Sequence, residues 1–140
     1  MRIAVAIPCY KVTQHVLGVI AAIGPEVEII YAVDDACPEG SGRFIEKHNR
    51  DPRVRVLYNP ENRGVGGAIV TAYEAAIADG MDIVVKIDGD GQMDPKLLPH
   101  FVPPLCAGRP TTPKATASTG PSRCVTCLRC AFLATRCCRS

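Results

Sequence analysis

Residues 81–92 read MDIVVKIDGDGQ, an apolar run that ends abruptly in carboxylates and glycines. A short continuous apolar run of this kind is typical of a strand that is buried on both faces of a sheet. Such strands belong to parallel sheets, because crossover helices then cover both faces. The stretch therefore predicts a buried parallel strand with Asp88 and Asp90 at its carboxyl end.

The residues before this stretch repeat an alternation of apolar strands and helical patterns. Further strands are predicted over 2–7, 27–33 and 53–57, and helices over 12–23, 42–49 and 68–78. Pro8 is expected to end the first strand. Because strands that alternate with helices form parallel sheets with right-handed crossovers, the expected fold class is α/β.

Polar or special residues follow three of the four predicted strands. They are Pro8-Cys9-Tyr10, Asp34-Asp35 and Asp88-Gly89-Asp90. Ligands of open α/β sheets bind beyond the carboxyl ends of the strands. The three groups are therefore expected to meet at one binding site.

The sequence D-G-D-G-Q over residues 88–92 is a candidate cation site. Two carboxylates one residue apart, Asp88 and Asp90, can turn toward one hard cation, and Gln92 offers a neutral oxygen in the same turn. Mg²⁺ and Mn²⁺ prefer such oxygen ligands and keep phosphate oxygens or water in their remaining positions. The alternative is a solvated Asp-Gly turn. A calcium loop fits less well, because no glutamate follows at its closing position.

The groups after the first two strands are candidates for contact with a nucleoside. Asp34 or Asp35 can accept hydrogen bonds from a ribose hydroxyl or a base N–H. The alternative is that they cap a helix or lie in a solvated turn. Pro8 and Tyr10 can contact a base through backbone and ring, or else form a strand-ending turn with a core tyrosine.

The glycines of residues 64–67 precede the third predicted helix. Gly64 can let the backbone approach a ligand and present amides to an anion. Two alternatives remain open. The glycines can serve close packing of helix on sheet, or they can be part of a dinucleotide fingerprint, which predicts a non-catalytic Rossmann-like module that binds NAD.

Composition excludes some functions and divides the chain. A net charge of +2 gives no reason to expect nucleic acid as a partner. No apolar run is long enough to span a bilayer and no signal peptide is evident, so a cytoplasmic location is expected.

Six of the eight cysteines lie at 106, 124, 127, 130, 137 and 138. From about residue 105 no hydrophobic period is apparent, and residues 105–140 are expected to be an unstructured tail.

Four motifs in order resemble glycosyltransferase family 2, and most of all its dolichol- and polyprenol-phosphate mannose and glucose synthases. They are IPCYK (7–11), VDDACPEGSG (33–42), NRGVGGA (62–68) and KIDGDGQMDP (86–95). The resemblance covers about residues 1–104. It implies the nucleotide-binding half of a GT-A fold, here as an incomplete domain.

The resemblance also implies a set of roles. The donor would be a nucleoside diphosphate sugar, GDP-mannose or a UDP-sugar, transferred with inversion to an acceptor such as a polyprenol phosphate at the inner membrane face. Mg²⁺ or Mn²⁺ would be held by Asp88, Asp90 and Gln92. The donor-binding residues would be Pro8, Tyr10, Asp34, Asp35, Gly64 and Asp88.

The tail allows two interpretations. Cys124, Cys127 and Cys130 have the C-x-x-C-x-x-C spacing of zinc or iron–sulfur ligands. Alternatively, residues 110–120 can be written in codons that give D-Y-T-K-G-N-R-F-Y-R in a shifted frame, which resembles the segment that follows the metal motif in the family. The hypothesis is a reading frame that slipped near Leu105, which predicts a truncated and inactive enzyme.

Overall fold

The computed structural model describes residues 2–92, 94–98 and 125–127, and it confirms the α/β class. A five-stranded sheet has the order β3-β2-β1-β4-β5. The strands β1 to β4 are parallel, whereas β5 runs antiparallel to β4. The elements in chain order are β1 Ile3–Cys9, α1 Val16–Ala22, β2 Ile29–Asp34, α2 Ser41–His48, β3 Val54–Tyr58, α3 Gly64–Ala78, β4 Ile83–Lys86, a 3₁₀ helix Pro95–Leu97 and β5 Val125–Cys127.

Helices cover both faces of the sheet, as the apolar strands require. Along β1, Ile3, Val5 and Ile7 face a core shared with α1 and α2. The alternate residues Ala4 and Ala6 face α3. Side chains of a strand point to opposite faces in turn, so the central strand is buried on both sides.

The contact between α3 and the sheet is built from small side chains. Ala68, Ala72 and Ala76 lie one helical turn apart and are fully buried. They belong to the same core cluster as Ala4 and Ala6 of β1. Alanine on both surfaces lets the helix backbone approach the sheet closely. The N-terminus of α3 is thereby fixed near the carboxyl end of β1.

The strand end predicted at Pro8 is wrong, because β1 continues to Cys9 and Pro8 pairs with Val33 of β2. A proline is tolerated inside the strand here because its missing N–H would face a position where the sheet has no hydrogen bond. The carbonyl of Ala6 accepts from Ile87, so the backbone groups of Ala6 and of Pro8, two residues later, point toward β4. The β4 ladder ends at Lys86, opposite Ala6. Pro8 therefore removes no hydrogen bond from the sheet.

Two predicted helix starts differ from the observed ones by about one turn. The third helix begins at Gly64, one turn before the predicted residue 68. Gly66 and Gly67 are helical despite their low helix propensity, whereas Gly64, at the helix start, has a left-handed φ of 73°. The first helix begins at Val16 and not at residue 12, since the carbonyl of Val12 accepts from the amides of His15 and Val16 in a preceding turn.

Strand β5 is an element that the sequence did not predict. It pairs with β4 from Ile83↔Cys127 to Val85↔Val125. Without it, β4 would present an unpaired edge. The predicted boundary at residue 104, the other tail cysteines and the shifted-frame segment lie outside the described residues. Within the described part of the chain, no helix is long and apolar enough to cross a membrane.

Candidate functional site

A cleft of about 460 Å³ opens at the carboxyl ends of β1 and β4. From β1 the chain continues toward β2 and β3 on one side, whereas β4 lies on the other side. The cleft is thus at the switch point of the sheet, where ligands of this fold class bind. It is lined by Pro8, Cys9, Tyr10, Lys11, Val12, Asp35, Asn62, Gly64, Val65, Ala68, Asp88, Gly89 and Asp90.

Most of the residues that the sequence singled out line this cleft. The two that do not are Asp34 and Gln92. Tyr10 is 42% exposed, which excludes the alternative of a core tyrosine. Strand ends that are far apart in the chain therefore meet around one cavity, as their position in a parallel sheet predicts.

Asp34 is engaged by the protein itself. Its side chain is 4% exposed. One oxygen accepts from the amide of Cys37 at 2.7 Å and the other from the amide of Gly42, in the first turn of α2, at 2.6 Å. A Cβ at Gly42 would lie 2.9 Å from Asp34 Oδ2 and 2.7 Å from the Tyr58 ring, so only glycine allows this approach. The geometry favours the helix-capping alternative for Asp34.

Asp35 lies in the cleft wall and is held by a chain of hydrogen bonds. It is 3% exposed. Its Oδ1 accepts from Asn59 Nδ2 at 2.8 Å and from the amide of Arg63 at 3.0 Å. Asn59 in turn accepts from the Thr71 hydroxyl at 2.8 Å. This network joins the ends of β2 and β3 to α3 and fixes the Asp35 carboxylate. Asn59 is not among the predicted site residues, because its only sequence signal is its position after a strand.

Gly64 also lines the cleft, at the start of α3. Its φ of 73° is left-handed. Its amide already donates to Asn62 Oδ1 at 2.9 Å. Gly64 therefore shapes the wall of the cleft, and its own N–H is not free for an anion.

Asp88 and Asp90 face the same cleft from the β4 side. The turn between them and Gln92 is closed by the Gln92 amide, which donates to Asp90 Oδ1 at 3.0 Å. Gly91 permits this turn with a φ of 80°. Asp88 Oδ1 lies 2.8 Å from Lys86 Nζ. Gln92 is exposed beside the cleft.

The donor set of this turn fits a hard divalent cation. Asp88 and Asp90 offer only oxygen, and among the described residues no group of three His, Cys, Asp or Glu side chains is placed to hold a metal. Zinc sites need three or four protein ligands. Mg²⁺ and Mn²⁺ bind through one or two carboxylates and complete their shell with phosphate and water. The cleft therefore fits such an ion when a phosphate is present.

A cysteine supports the opposite wall of the cleft. The amide of Lys11, whose φ is 55°, donates to Cys37 Sγ at 3.2 Å. Burial tends to raise the pKa of this thiol, but hydrogen bonds from the Ser41 hydroxyl and from the amides of Lys11, Ser41 and Glu39 outweigh it and lower the pKa. Cys37 thereby anchors the turn that carries Tyr10 and Lys11.

The two described cysteines should differ sharply in reactivity toward iodoacetamide at neutral pH. Burial raises the pKa of Cys9 to about 12, whereas that of Cys37 is lowered from 9.0. The larger thiolate fraction of Cys37 outweighs its lower intrinsic nucleophilicity, and Cys9 is fully buried, so Cys37 is expected to be alkylated more than about tenfold faster. Mass-spectrometric peptide mapping measures both sites in one sample. Equal labelling of Cys9 and Cys37 would contradict the described packing.

The family follows from a direct match. The family model described as "Glycosyl transferase family 2" matches residues 4–120. The chain belongs to this family. The membership confirms the resemblance that the four motifs predicted. The matched range of this family 2 chain extends beyond residue 104, where the sequence analysis placed the end of the domain.

Two curated relatives of this family 2 chain have names that describe mannose transfer to a polyprenol phosphate. An undecaprenyl-phosphate mannosyltransferase of Micrococcus luteus is 32% identical over 106 residues, which are 73% of this chain and 43% of the relative. A polyprenol monophosphomannose synthase of Mycolicibacterium smegmatis is 29% identical over 112 residues, 76% of this chain and 42% of the relative. The chain thus spans less than half the length of these relatives.

Solved structures of glycosyltransferases share the fold. Glucosyl-3-phosphoglycerate synthase from Mycobacterium tuberculosis, crystallised with Mn²⁺, UDP and glucosyl-3-phosphoglycerate, gives a TM-score of 0.60 at 24% identity, over 77% of this chain and 40% of that one. A mannosyltransferase from Pyrobaculum calidifontis in complex with GDP-Man and Mn²⁺ gives a TM-score of 0.51 at 26% identity, over 64% of this chain and 27% of that one. This family 2 chain therefore has the GT-A arrangement that its sequence predicted.

Proposed function

We propose that this chain binds a nucleoside diphosphate sugar in the cleft at the carboxyl ends of β1 and β4, as the donor-binding part of a glycosyltransferase. The observation that carries the proposal is the convergence of Asp35 with Asp88 and Asp90 on one cavity, although they follow different strands. One carboxylate alone would be an ordinary turn residue. Together they offer a hydroxyl-binding group and a cation site in a single cleft.

Each wall of the cleft would bind a different part of the donor. The exposed Tyr10 ring and the fixed Asp35 carboxylate would bind the nucleoside, with Asp35 accepting from a ribose hydroxyl or a base N–H. Pro8 would contact it through its backbone. The diphosphate would lie toward Asp88 and Asp90, with Gly64 forming the wall of the cleft beside it.

A diphosphate next to two carboxylates is repelled unless a cation lies between them. Asp88 and Asp90 would hold Mg²⁺ or Mn²⁺, and Gln92 would join them if its side chain turned inward. The bound cation would neutralise charge that develops on the diphosphate as the sugar leaves. The residues of the chain would orient the donor so that the sugar faces an incoming acceptor.

The relatives favour mannose as the sugar and a polyprenol phosphate as the acceptor. Two of them are named for that transfer, and a structural neighbour holds GDP-Man with Mn²⁺. We therefore propose GDP-mannose ahead of a UDP-sugar as donor. An acceptor phosphate is already anionic and needs no strong base, so one in-line displacement with inversion suffices. The acceptor would be presented at the cytoplasmic membrane surface.

A thermal-shift titration tests this proposal. GDP-mannose, UDP-glucose and NAD are each added with Mn²⁺ or with EDTA. A ligand at a hundred times its Kd stabilises by about 2.7 kcal/mol, which raises Tm by roughly 8 °C in a chain of this size. We expect that rise for GDP-mannose with Mn²⁺, a smaller rise for UDP-glucose, and none with EDTA.

NAD is the control for the alternative function. A Rossmann-like module that uses residues 64–67 would be stabilised by NAD equally with Mn²⁺ and with EDTA. That result, or the absence of any metal-dependent shift with both sugar nucleotides, would refute the proposed donor site.

A further inference from the structure

Lys86 is a largely buried cation beside the cleft that the proposed function leaves without a role. It is the last residue of β4, and its side chain is 15% exposed. Its Nζ lies 2.8 Å from Asp88 Oδ1, on a carboxylate that is 42% exposed. The same carboxylate is a proposed cation ligand. Lys86 and a divalent cation therefore compete for Asp88.

We infer that Lys86 is a positioning residue that serves as the resident counter-ion of Asp88 and makes binding of the cation depend on the donor. This inference rests on the proposed function of the same cleft. In the free chain the ammonium pairs with Asp88. When cation and donor bind together, the ammonium exchanges the carboxylate for an oxygen of the donor diphosphate.

The first argument is the cost of an unpaired buried charge. The Lys86 side chain is 15% exposed, and a mostly buried lysine is stabilised by an anionic partner. A cation that binds Asp88 by itself would take that partner away. The free energy of the Lys86–Asp88 pair therefore opposes binding of the cation and lowers the affinity of the free chain for it. The turn selects against cation binding in the absence of donor.

The second argument is what the donor supplies. A diphosphate beside Asp88 and Asp90 brings the anionic oxygens that the displaced ammonium requires. Lys11 also lines the cleft, but its Nζ lies 5.5 Å from the centroid of the Tyr10 ring on the opposite wall. Lys86 is already in contact with the cation-binding turn. Cation and donor should therefore bind with positive coupling, and each should raise the affinity of the other by the same factor.

The inference predicts how Mn²⁺ affinity responds to removal of the ammonium. The full chain and its variants Lys86→Met, Lys86→Arg and Lys47→Met are titrated with Mn²⁺, read by electron paramagnetic resonance of the free ion. Each titration is done alone and with saturating GDP or UDP, against a protein-free blank with the same nucleotide, because a diphosphate binds Mn²⁺ in solution. Lys47 is exposed in the last turn of α2, so its replacement removes the same charge far from the cleft.

Without nucleotide, Lys86→Met is expected to bind Mn²⁺ about tenfold more tightly than the wild type. With nucleotide this advantage should disappear, so the coupling between nucleotide and Mn²⁺ falls about tenfold, within the usual range of such couplings. Lys86→Arg should restore most of the wild-type behaviour, and Lys47→Met should match the wild type. Unfolding curves of all variants check that the fold is retained.

The experiment distinguishes failure of the role of Lys86 from failure of the proposed cation site. Equal Mn²⁺ affinity of wild type and Lys86→Met without nucleotide, or an equal rise in Lys47→Met, would overturn the role of Lys86 and leave the donor site standing. If no variant binds Mn²⁺ even with saturating GDP or UDP, both the role of Lys86 and the proposed cation site are overturned. If Lys86→Met does not fold, Lys86→Gln, which keeps a polar side chain without the charge, is titrated in its place and the same outcomes decide.

Discussion

Replacement of both Asp88 and Asp90 by asparagine is expected to lower the affinity for GDP-mannose in the presence of Mn²⁺ by roughly 100-fold or more. Loss of a group that merely orients a metal ligand already costs about 10–100-fold, so loss of both charged ligands should cost at least the upper value. Asparagine keeps the shape and one oxygen of each side chain. Because asparagine at position 88 leaves Lys86 without its anionic partner, the free energy of unfolding should also fall, and an unfolding curve checks that the double variant is folded before binding is measured.

The measurement is isothermal titration of the sugar nucleotide with and without Mn²⁺. Asp94→Asn is the matched control, since Asp94 lies in the same loop, is exposed, and caps the 3₁₀ helix, a role that asparagine also fills. It should bind as the wild type does. Metal-dependent binding that survives in the double variant would show that the cation lies elsewhere.

Asp34→Ala should produce the largest loss of stability among the acidic residues of the site, about 3 kcal/mol. The change leaves the amides of Cys37 and Gly42 without acceptors in a buried turn. Hydrogen bonds to a charged group contribute about 1.5–3 kcal/mol each, and an unsatisfied buried donor adds its own penalty. A loss of that size is a large fraction of the stability of an ordinary domain.

Urea unfolding followed by circular dichroism measures this effect. Asp94→Ala removes an exposed cap and should cost less than about 1 kcal/mol. If Asp34→Ala were as stable as Asp94→Ala but failed to bind nucleotide, Asp34 would be a ligand and not a structural carboxylate. The pair of variants thus separates the two interpretations that the sequence left open.

Most of the fold was predictable because the strands are short apolar runs with clear ends. The run at 81–87 and the carboxylates after it placed β4 and the cation-binding turn. What the sequence could not reveal was hydrogen-bond direction. Pro8 looks like a strand terminator until the register shows that its missing N–H faces the end of β4. The start of α3 at Gly64 was not predicted because glycine has a weak helix propensity, while the contact that holds α3 on the sheet is made by the buried alanines farther along the helix.

The site was predictable where geometry follows from topology alone. Carboxylates at strand ends must meet at one edge of a parallel sheet, which placed Asp35, Asp88 and Asp90 together. Which of two adjacent carboxylates turns inward depends on contacts far along the chain, such as that between Asp34 and Gly42. Lys86 looked like an ordinary strand residue, because only the structure shows it beside Asp88.

The central position of β1 matters during synthesis as well as after it. Residues 3–9 are buried throughout and contain no charge. They are synthesised before both of their partner strands, and one of these, β4, is complete only at residue 86. At about 5–20 residues per second this leaves roughly 4–15 s in which one edge of an uncharged strand has no neighbour. Self-association therefore competes with folding mainly in the nascent chain, before β4 is complete.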